Sequence, residues 1–214
     1  MHKIDFFGRA EQIQNNILVT DGVTVSNLHI TGVNTAQFTV LDGGHLHMKN
    51  IHSEASPIMI DGAGGTVERI TIDNVVADNA ALIVTNTIVS GGDLKIKNCQ
   101  LPTAELPKSS LQVNSVRLLD GNLVIEKVSP EGTVTYRGVE VKIHNNSIEG
   151  YGKNLKIKDL NVNGDLSIFS NTIQNGYLIV EDSTIGNSYI SYDNAIISGG
   201  IVWSDNTIKG HLLI

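Results

Sequence analysis

The amino-acid sequence predicts an all-β fold in which one coil of short parallel strands stacks about nine rungs high. The first observation is a short unit that recurs along the chain at steps of 23 or 24 residues. A repeat this short, made of one strand and a polar corner, is typical of a solenoid. Its copies are VTVSN (23–27), LHMKN (46–50), ITIDN (70–74) and LKIKN (94–98).

The second observation is the alternation inside each unit. Apolar residues occupy its first and third positions, as Leu94 and Ile96 do, and variable residues lie between them. Period-two alternation places the apolar side chains on one face of a strand. The many β-branched residues and the frequent Asn and Gly argue against the competing helical interpretation. We therefore expect the apolar positions to stack inside the coil.

The third observation is the asparagine that closes each unit. Asn tolerates the left-handed backbone of a tight corner, and its amide can pair with the Asn one rung away. We expect such a ladder along Asn27, Asn50, Asn74 and Asn98. The strict six-residue period of a left-handed β-helix is absent, whereas the 23-residue step favours a right-handed parallel β-helix with roughly three strands per rung.

The first residues do not fit the repeat. We expect residues 1–16 to form an N-terminal cap, for which a short helix is one form, and residues 17–214 to form the β-helix. Residues 101–140 break its rhythm and are predicted to form an irregular insertion. Within it LQVNS (111–115) still fits a rung, and the DGN at 120–122 favours a hairpin turn. The insertion is either a lateral loop or extra hairpin, or a wall beside a binding groove.

From Val141 onward similar units recur at half the rung spacing. This predicts that two faces of the coil carry the same kind of strand and corner. The chain then stops in mid-strand at HLLI, so we expect either a piece of a longer protein or a partner that covers this end. Four of the units share an Asn, namely VKIHNNSI, LSIFSNTI, YISYDNAI and IVWSDNTI, and two more are interleaved with them, LKIKDLNV and LIVEDSTI.

Composition limits the classes of partner. A net charge of −7 argues against nucleic acid, because the counterion release that drives such binding needs a basic face. No apolar run approaches the ~20 residues of a membrane span, so membrane insertion is not expected, and no motif calls for a cofactor. Cys99 is the single cysteine and occupies the position of Leu28, Ile51 and Val75, which predicts burial as a small apolar residue.

Units such as LHMKNIHS, ITIDNVVADN, LKIKNCQ and IVWSDNTI resemble the rungs of right-handed parallel β-helix proteins of the pectate-lyase-like group. Within this group bacteriophage tailspikes are the most similar class. The resemblance implies a homotrimer in the virion or outside the cell that binds, and often cleaves, bacterial surface polysaccharide. The chain lacks the clustered Asp ligands and catalytic Arg of pectate lyases, so calcium-dependent elimination is not implied.

Residues one rung apart should lie ~4.8 Å from each other, so outward positions form columns along the coil. One column places Glu54 beside Asp78, and Asp73 lies nearby. Paired carboxylates suit glycoside hydrolysis as acid and base or nucleophile, and their mutual repulsion raises the pKa of one of them. Glu54, Asp78 and Asp73 are therefore the candidate catalytic residues. The alternative is that they are solvated loop residues.

Basic and imidazole side chains surround these carboxylates. We expect them to bind substrate, and Lys49, His52 and Lys95 could instead abstract a proton in a polysaccharide lyase. Histidines 29, 45, 47 and 52 could form a metal cluster, but their spacing favours exposed rung positions, and no metal site is expected. Aromatic residues gather in the last quarter, where Tyr192 and Trp203 fall at inward positions. The substrate-binding candidates are Lys49, His52, His47 and Lys95.

Three functions thus remain open. The first is a phage tailspike or fibre segment that binds, and in its enzymatic form cleaves, polysaccharide. The second is a structural or adhesive β-helix without catalysis, such as a shaft segment or surface adhesin. The third is a free-standing polysaccharide lyase or epimerase. Oligomeric state and the geometry of the carboxylates distinguish them.

Overall fold

The computed structural model describes residues 5–14, 17–30, 35–54, 56–78, 80–101, 110–130, 139–162, 164–190 and 193–214. Every regular element within these ranges is a β-strand, and apart from the first strand all of them pair in parallel. The strands form a parallel β-solenoid of about seven turns, consistent with the predicted right-handed β-helix.

The strands of the first three turns are β1 (Asp5–Gln14), β2 (Ile17–Ile30), β3 (Ala36–Val40), β4 (His45–Ser53), β5 (Ile58–Asp61), β6 (Thr66–Val67), β7 (Arg69–Ala77), β8 (Leu82–Ser90), β9 (Leu94–Lys97) and β10 (Gln100–Leu101). The middle turns contain β11 (Leu111–Leu119), β12 (Leu123–Glu126), β13 (Ser129–Pro130), β14 (Val141–His144), β15 (Ser147–Glu149) and β16 (Leu155–Lys158). The last turns contain β17 (Asp165–Phe169), β18 (Thr172–Gln174), β19 (Tyr177–Glu181), β20 (Thr184–Ile185), β21 (Asn187–Ile190), β22 (Ala195–Ile197), β23 (Gly200–Ser204), β24 (Thr207–Ile208) and β25 (Leu212–Leu213).

Parallel pairing arranges the strands in four faces, one more than the three predicted. Face A contains β3, β5, the first halves of β8 and β11, and β14, β17, β21 and β25. Face B contains β6, the second halves of β8 and β11, and β15, β18 and β22. Face C contains the first halves of β4 and β7, and β9, β12, β16, β19 and β23. Face D contains the ends of β2, β4 and β7, and β10, β13, β20 and β24.

One residue with positive φ marks the corner between faces C and D in every turn. The predicted asparagines Asn27, Asn50, Asn74 and Asn98 have φ between 54° and 55°, and Lys127, Asp159, Asp182 and Asp205 follow them at this corner. Successive corners are 23 or 24 residues apart, except for steps of 29 and 32 residues on either side of Lys127. Eight corners enclose seven turns. The predicted nine rungs were too many, because β1 and the two long steps take up residues without adding turns.

The predicted alternation is confirmed in the core. The inward side chains Leu46, Met48, Ile70, Ile72, Leu94 and Ile96 are all buried to 1% exposure or less. Cys99 is fully buried in face D, and its burial raises the pKa of the thiol to about 12. Trp203 lies inward and packs half-buried against the core, whereas Tyr192 lies outside the described residues.

Two local predictions were wrong. Residues 5–14, considered as a helix, form β1, which pairs antiparallel with β2 and covers its edge. The DGN at 120–122 forms no hairpin, because β11 and β12 pair with strands of the neighbouring turns and not with each other. Gly121 instead lies where the chain passes from face B to face C, and a Cβ there would collide with the carbonyl oxygen of Gly92.

Part of the segment predicted to be an insertion continues the coil. LQVNS begins β11 as expected, and residues 110–130 supply strands to all four faces. Residues 102–109 and 131–138 lie outside the described residues.

Candidate functional site

The predicted column of residues beyond the C–D corner is present on face D. His29 pairs in register with His52, and His52 with Val76. Glu54 and Asp78 follow these strands at the edge where face D passes into face A, and their backbone N–H groups donate to Ile30 and Ser53 one turn below. The two carboxylates therefore lie on neighbouring turns of the same edge.

Each carboxylate at this edge binds an imidazole from the turn below. Nε2 of His29 lies 2.9 Å from Oε1 of Glu54, and Nε2 of His52 lies 2.9 Å from Oδ2 of Asp78. The two imidazole rings stack with centroids 4.9 Å apart and an interplanar angle of 14°. We call these four residues the D-edge cluster.

The D-edge cluster faces solvent on one side. The side chains of His29, Glu54 and His52 are 55%, 54% and 46% exposed, whereas Asp78 is only 27% exposed. Oδ1 of Asp78 is buried and has no hydrogen-bond partner among the described residues. The cluster thus offers two outward imidazoles, one accessible carboxylate and one carboxylate held in a less solvated position.

Asp73, the third candidate carboxylate, lies before the corner on face C. It accepts a hydrogen bond of 2.7 Å from Nδ2 of Asn98, and Nζ of Lys97 lies 3.4 Å from it. Partial burial opposes ionisation of Asp73, but the Asn98 hydrogen bond and the Lys97 charge outweigh it and lower the pKa of the carboxyl. Asp73 is thus an ionised partner of face C residues and not a member of the D-edge cluster.

The other predicted substrate-binding residues also lie on face C. His47 pairs in register with Thr71, and Lys49 with Asp73. Burial lowers the pKa of His47, and the charge of Asp73 opposes this only in part. Nζ of Lys95 lies 2.9 Å from Asp93. Of the seven predicted site residues, only Glu54, Asp78 and His52 come together in the D-edge cluster.

Sequence reasoning did not select His29 as a site residue, although it is the partner of Glu54. The signal was present in the repeat, because His29 and His52 occupy the same position of consecutive units. The repeat does not reveal the diagonal pairing, in which each imidazole binds a carboxylate of the next turn and not one of its own turn.

Among the described residues, no group of three or more His, Cys, Asp or Glu side chains could hold a metal ion. No helix within the described ranges is long and apolar enough to cross a membrane.

Comparison with known proteins finds no relative of this chain. No family model, no curated protein and no solved structure matches it.

Proposed function

We propose that this chain is a segment of a phage tailspike or tail fibre that binds a bacterial surface polysaccharide at the D-edge cluster. The observation that carries the proposal is the pair of stacked His–carboxylate contacts, His29–Glu54 and His52–Asp78, on consecutive turns. A polysaccharide is a repeating ligand, so a chain lying along the coil axis would meet equivalent hydrogen-bonding groups at each turn. Imidazoles and carboxylates together donate to and accept from sugar hydroxyls.

Cleavage of the bound polysaccharide is the enzymatic form of this proposal. Glu54 and Asp78 lie on adjacent turns, whose backbones are ~4.8 Å apart, and short carboxylate separations of about 5 Å suit retaining glycoside hydrolysis. Asp78 is the less exposed of the two carboxylates and is the candidate general acid.

Proton abstraction by His52 is a second candidate chemistry. Its Nε2 contacts Asp78 at 2.9 Å, and a carboxylate at that nitrogen favours the Nε2–H tautomer. Nδ1 is then left to accept a proton from a uronate unit, as elimination by a polysaccharide lyase requires. Hydrolysis yields a saturated sugar end, whereas elimination yields an unsaturated one that absorbs ultraviolet light.

The test measures binding and chain shortening on a panel of capsular and O-antigen polysaccharides. We expect one polysaccharide to bind, and Glu54→Gln and Asp78→Asn to weaken binding at least about tenfold or to abolish cleavage by about 10²-fold or more. Glu68→Gln is the matched control, because Glu68 is 52% exposed and pairs with Arg69 away from the D edge.

The outcomes separate the functions. Binding without shortening supports a binding or adhesive segment, and its light-scattering mass separates a homotrimer from a monomer. Shortening by a monomer favours a free-standing enzyme. Failure to bind any of the polysaccharides, or equal binding by the Glu54, Asp78 and Glu68 variants, contradicts the D-edge cluster as the site.

A further inference from the structure

A concave surface lies at the corner between faces A and B. Its volume is about 540 Å³, within the usual range of small-ligand sites. Asp61 and Gly64 form one side, Asn86 and Ile88 the floor, and Ser115 and Arg117 the opposite side. We call this surface the corner groove. None of its residues belongs to the D-edge cluster.

The groove exists because one turn has two surplus residues at this corner. Asp61 pairs with Thr85, and Thr66 pairs with Ile88. The corner therefore contains four residues in this turn, 62–65, but only two in the next turn, 86–87. The surplus forms a ledge at residues 62–65. Gly64 has a φ of 75°, and a Cβ at this position would meet no atom within 4 Å. Apart from the methyl group of Ala63, the ledge therefore presents only backbone, and the space beside Gly64 is open.

Hydrogen bonds fix the ledge to the turn above. The amide of Gly62 donates to Oγ1 of Thr87 at 3.0 Å, and the amide of Gly64 donates to the carbonyl of Asn86 at 2.9 Å. Oδ1 of Asp61 accepts from the amide of Ala63 at 2.8 Å. This side of the groove is thus preformed, and the second carboxylate oxygen of Asp61 has no partner among the described residues.

The opposite side is fixed by a two-point ion pair. Nε and Nη2 of Arg117 donate to the two carboxylate oxygens of Glu149 at 2.8 and 3.0 Å, and Ser147 donates to the same carboxylate at 2.9 Å. The pairing orients the planar guanidinium and leaves Nη1 without a partner among the described residues. The side-chain amide of Asn86 is likewise unpaired within the part of the chain that the structure describes.

We propose that the corner groove binds a neutral sugar residue that carries vicinal hydroxyl groups. Each sugar hydroxyl both donates and accepts, so it matches a carboxylate oxygen of Asp61 on one side and donors of Arg117 and Asn86 on the other. Ile88 supplies an apolar surface for the C–H face of the ring. The carboxylates of Asp61 and Glu149 outnumber the one guanidinium, so the local charge disfavours an acidic sugar.

This site is independent of the D-edge cluster, and its test uses single sugars instead of polysaccharides. The probes are the methyl glycosides of glucose, galactose, mannose, rhamnose and N-acetylglucosamine, with methyl glucuronide as the acidic probe. Each is titrated into isotope-labelled protein while the side-chain signals of Asn86 and Arg117 and the amide of Ser115 are followed by NMR.

We expect at least one neutral glycoside to shift these signals saturably, and Arg117→Met and Asp61→Asn to weaken it tenfold or more. Asn at position 61 keeps an oxygen for the Ala63 amide, so the ledge is retained. Arg69→Met is the matched control, because Arg69 is 53% exposed and paired with Glu68, as Arg117 is 52% exposed and paired with Glu149. The control is expected to bind like the unaltered protein.

Three results would overturn the proposal. The first is no saturable shift at the groove with any neutral glycoside. The second is undiminished binding by both groove variants, or equal loss in the Arg69 control. The third is tighter binding of methyl glucuronide than of every neutral probe. The Glu54 and Asp78 variants leave the groove residues unaltered. Glycoside binding at the groove in these variants therefore separates failure of this proposal from failure of the D-edge site.

Discussion

At the scale of single residues, asparagine has two distinct roles in this chain. At the C–D corner it adopts positive φ and is exposed, and Asn50 and Asn74 each donate to the Asn one turn below at 3.0 and 2.8 Å. The predicted ladder is confirmed for these turns, but Asn98 donates to Asp73 instead. At the start of face B, Asn146 and Asn171 are buried to 2% and 1% exposure.

The buried asparagines make more hydrogen bonds than the exposed ones. Asn171 donates to the carbonyls of Ile143 and Phe169 and to Asn194, and its Oδ1 accepts from the backbone and side chain of Asn146. Backbone groups at this corner have no strand partner, so the amide satisfies them in place of water. Removing it would leave several buried polar groups unpaired.

We expect Asn171→Ala to lower the free energy of unfolding by about 2–4 kcal/mol, because each unsatisfied buried group costs about 1–3 kcal/mol. Urea unfolding followed by circular dichroism measures the change. Asn161→Ala is the control, since Asn161 is exposed and no described residue bonds its side chain. A loss of unfolding free energy no larger than in this control would show that water replaces the hydrogen bonds of the Asn171 side chain.

At the scale of elements, the outer surface of face C carries a column of alternating charge. Successive turns present Lys49, Asp73, Lys97, Glu126, Lys158 and Glu181 in register. Like charges directly opposite on neighbouring strands are destabilising, and alternation avoids every such contact. This gives a structural reason for Lys49 and Asp73, which sequence reasoning assigned to a site.

Replacing Asp73 with Lys tests this interpretation, because it places lysines on three consecutive turns. We expect Asp73→Lys to destabilise the fold by about 1 kcal/mol or more, and Asp73→Asn by less. High salt should reduce the effect of the Lys variant through screening. Destabilisation that is equal for both variants and independent of salt would contradict charge alternation as the role of Asp73.

The pH dependence of Asp73→Asn follows from the lowered pKa of this carboxyl. A depressed folded-state pKa contributes stability above the unfolded-state pKa, and this stability is lost as pH falls through the folded-state value. The difference between the unaltered protein and Asp73→Asn should therefore be present at neutral pH and fade in acid.

At the scale of the whole molecule, each turn is stabilised by the turns on either side. Among the described strands, β22 and β23 pair only with β18 and β19 below them. In the same turns Ile201, Leu213 and Ile214 are 43%, 62% and 59% exposed. Central strands such as β12 and β16 pair on both sides and bury their inward apolar residues fully. In a solenoid, stability is approximately the sum of such nearest-neighbour contacts.

This arrangement predicts a gradient of hydrogen exchange along the coil. Amides in β12 and β16 should exchange more slowly than those in β23 and β25 by about two orders of magnitude or more, since the last turn can open alone. Exchange measured by NMR or mass spectrometry at neutral pH gives the comparison. Uniform protection in all turns would mean that the coil opens only as one unit, or that association covers the last turn.

The sequence predicted which outward residues share a column, but not which columns lie on the same face. The columns of outward residues followed from the repeat, so the neighbourhood of His52, Glu54 and Asp78 was foreseen. The bend at each asparagine then sends Asp73, Lys49 and His47 to another face, a separation that sequence steps do not reveal. The corner groove was missed altogether, because it arises from two surplus residues in one turn compared with the next.

The sequence by itself determined the all-β coil, the inward apolar positions, the C–D corner and the burial of Cys99, because each follows from local alternation and from the conformational tolerance of asparagine. The tertiary structure alone decided the four faces, the seven turns, the diagonal His–carboxylate pairs and the groove. These depend on how far each turn bends and which side chains of adjacent turns meet, and such distances are set only when the turns stack.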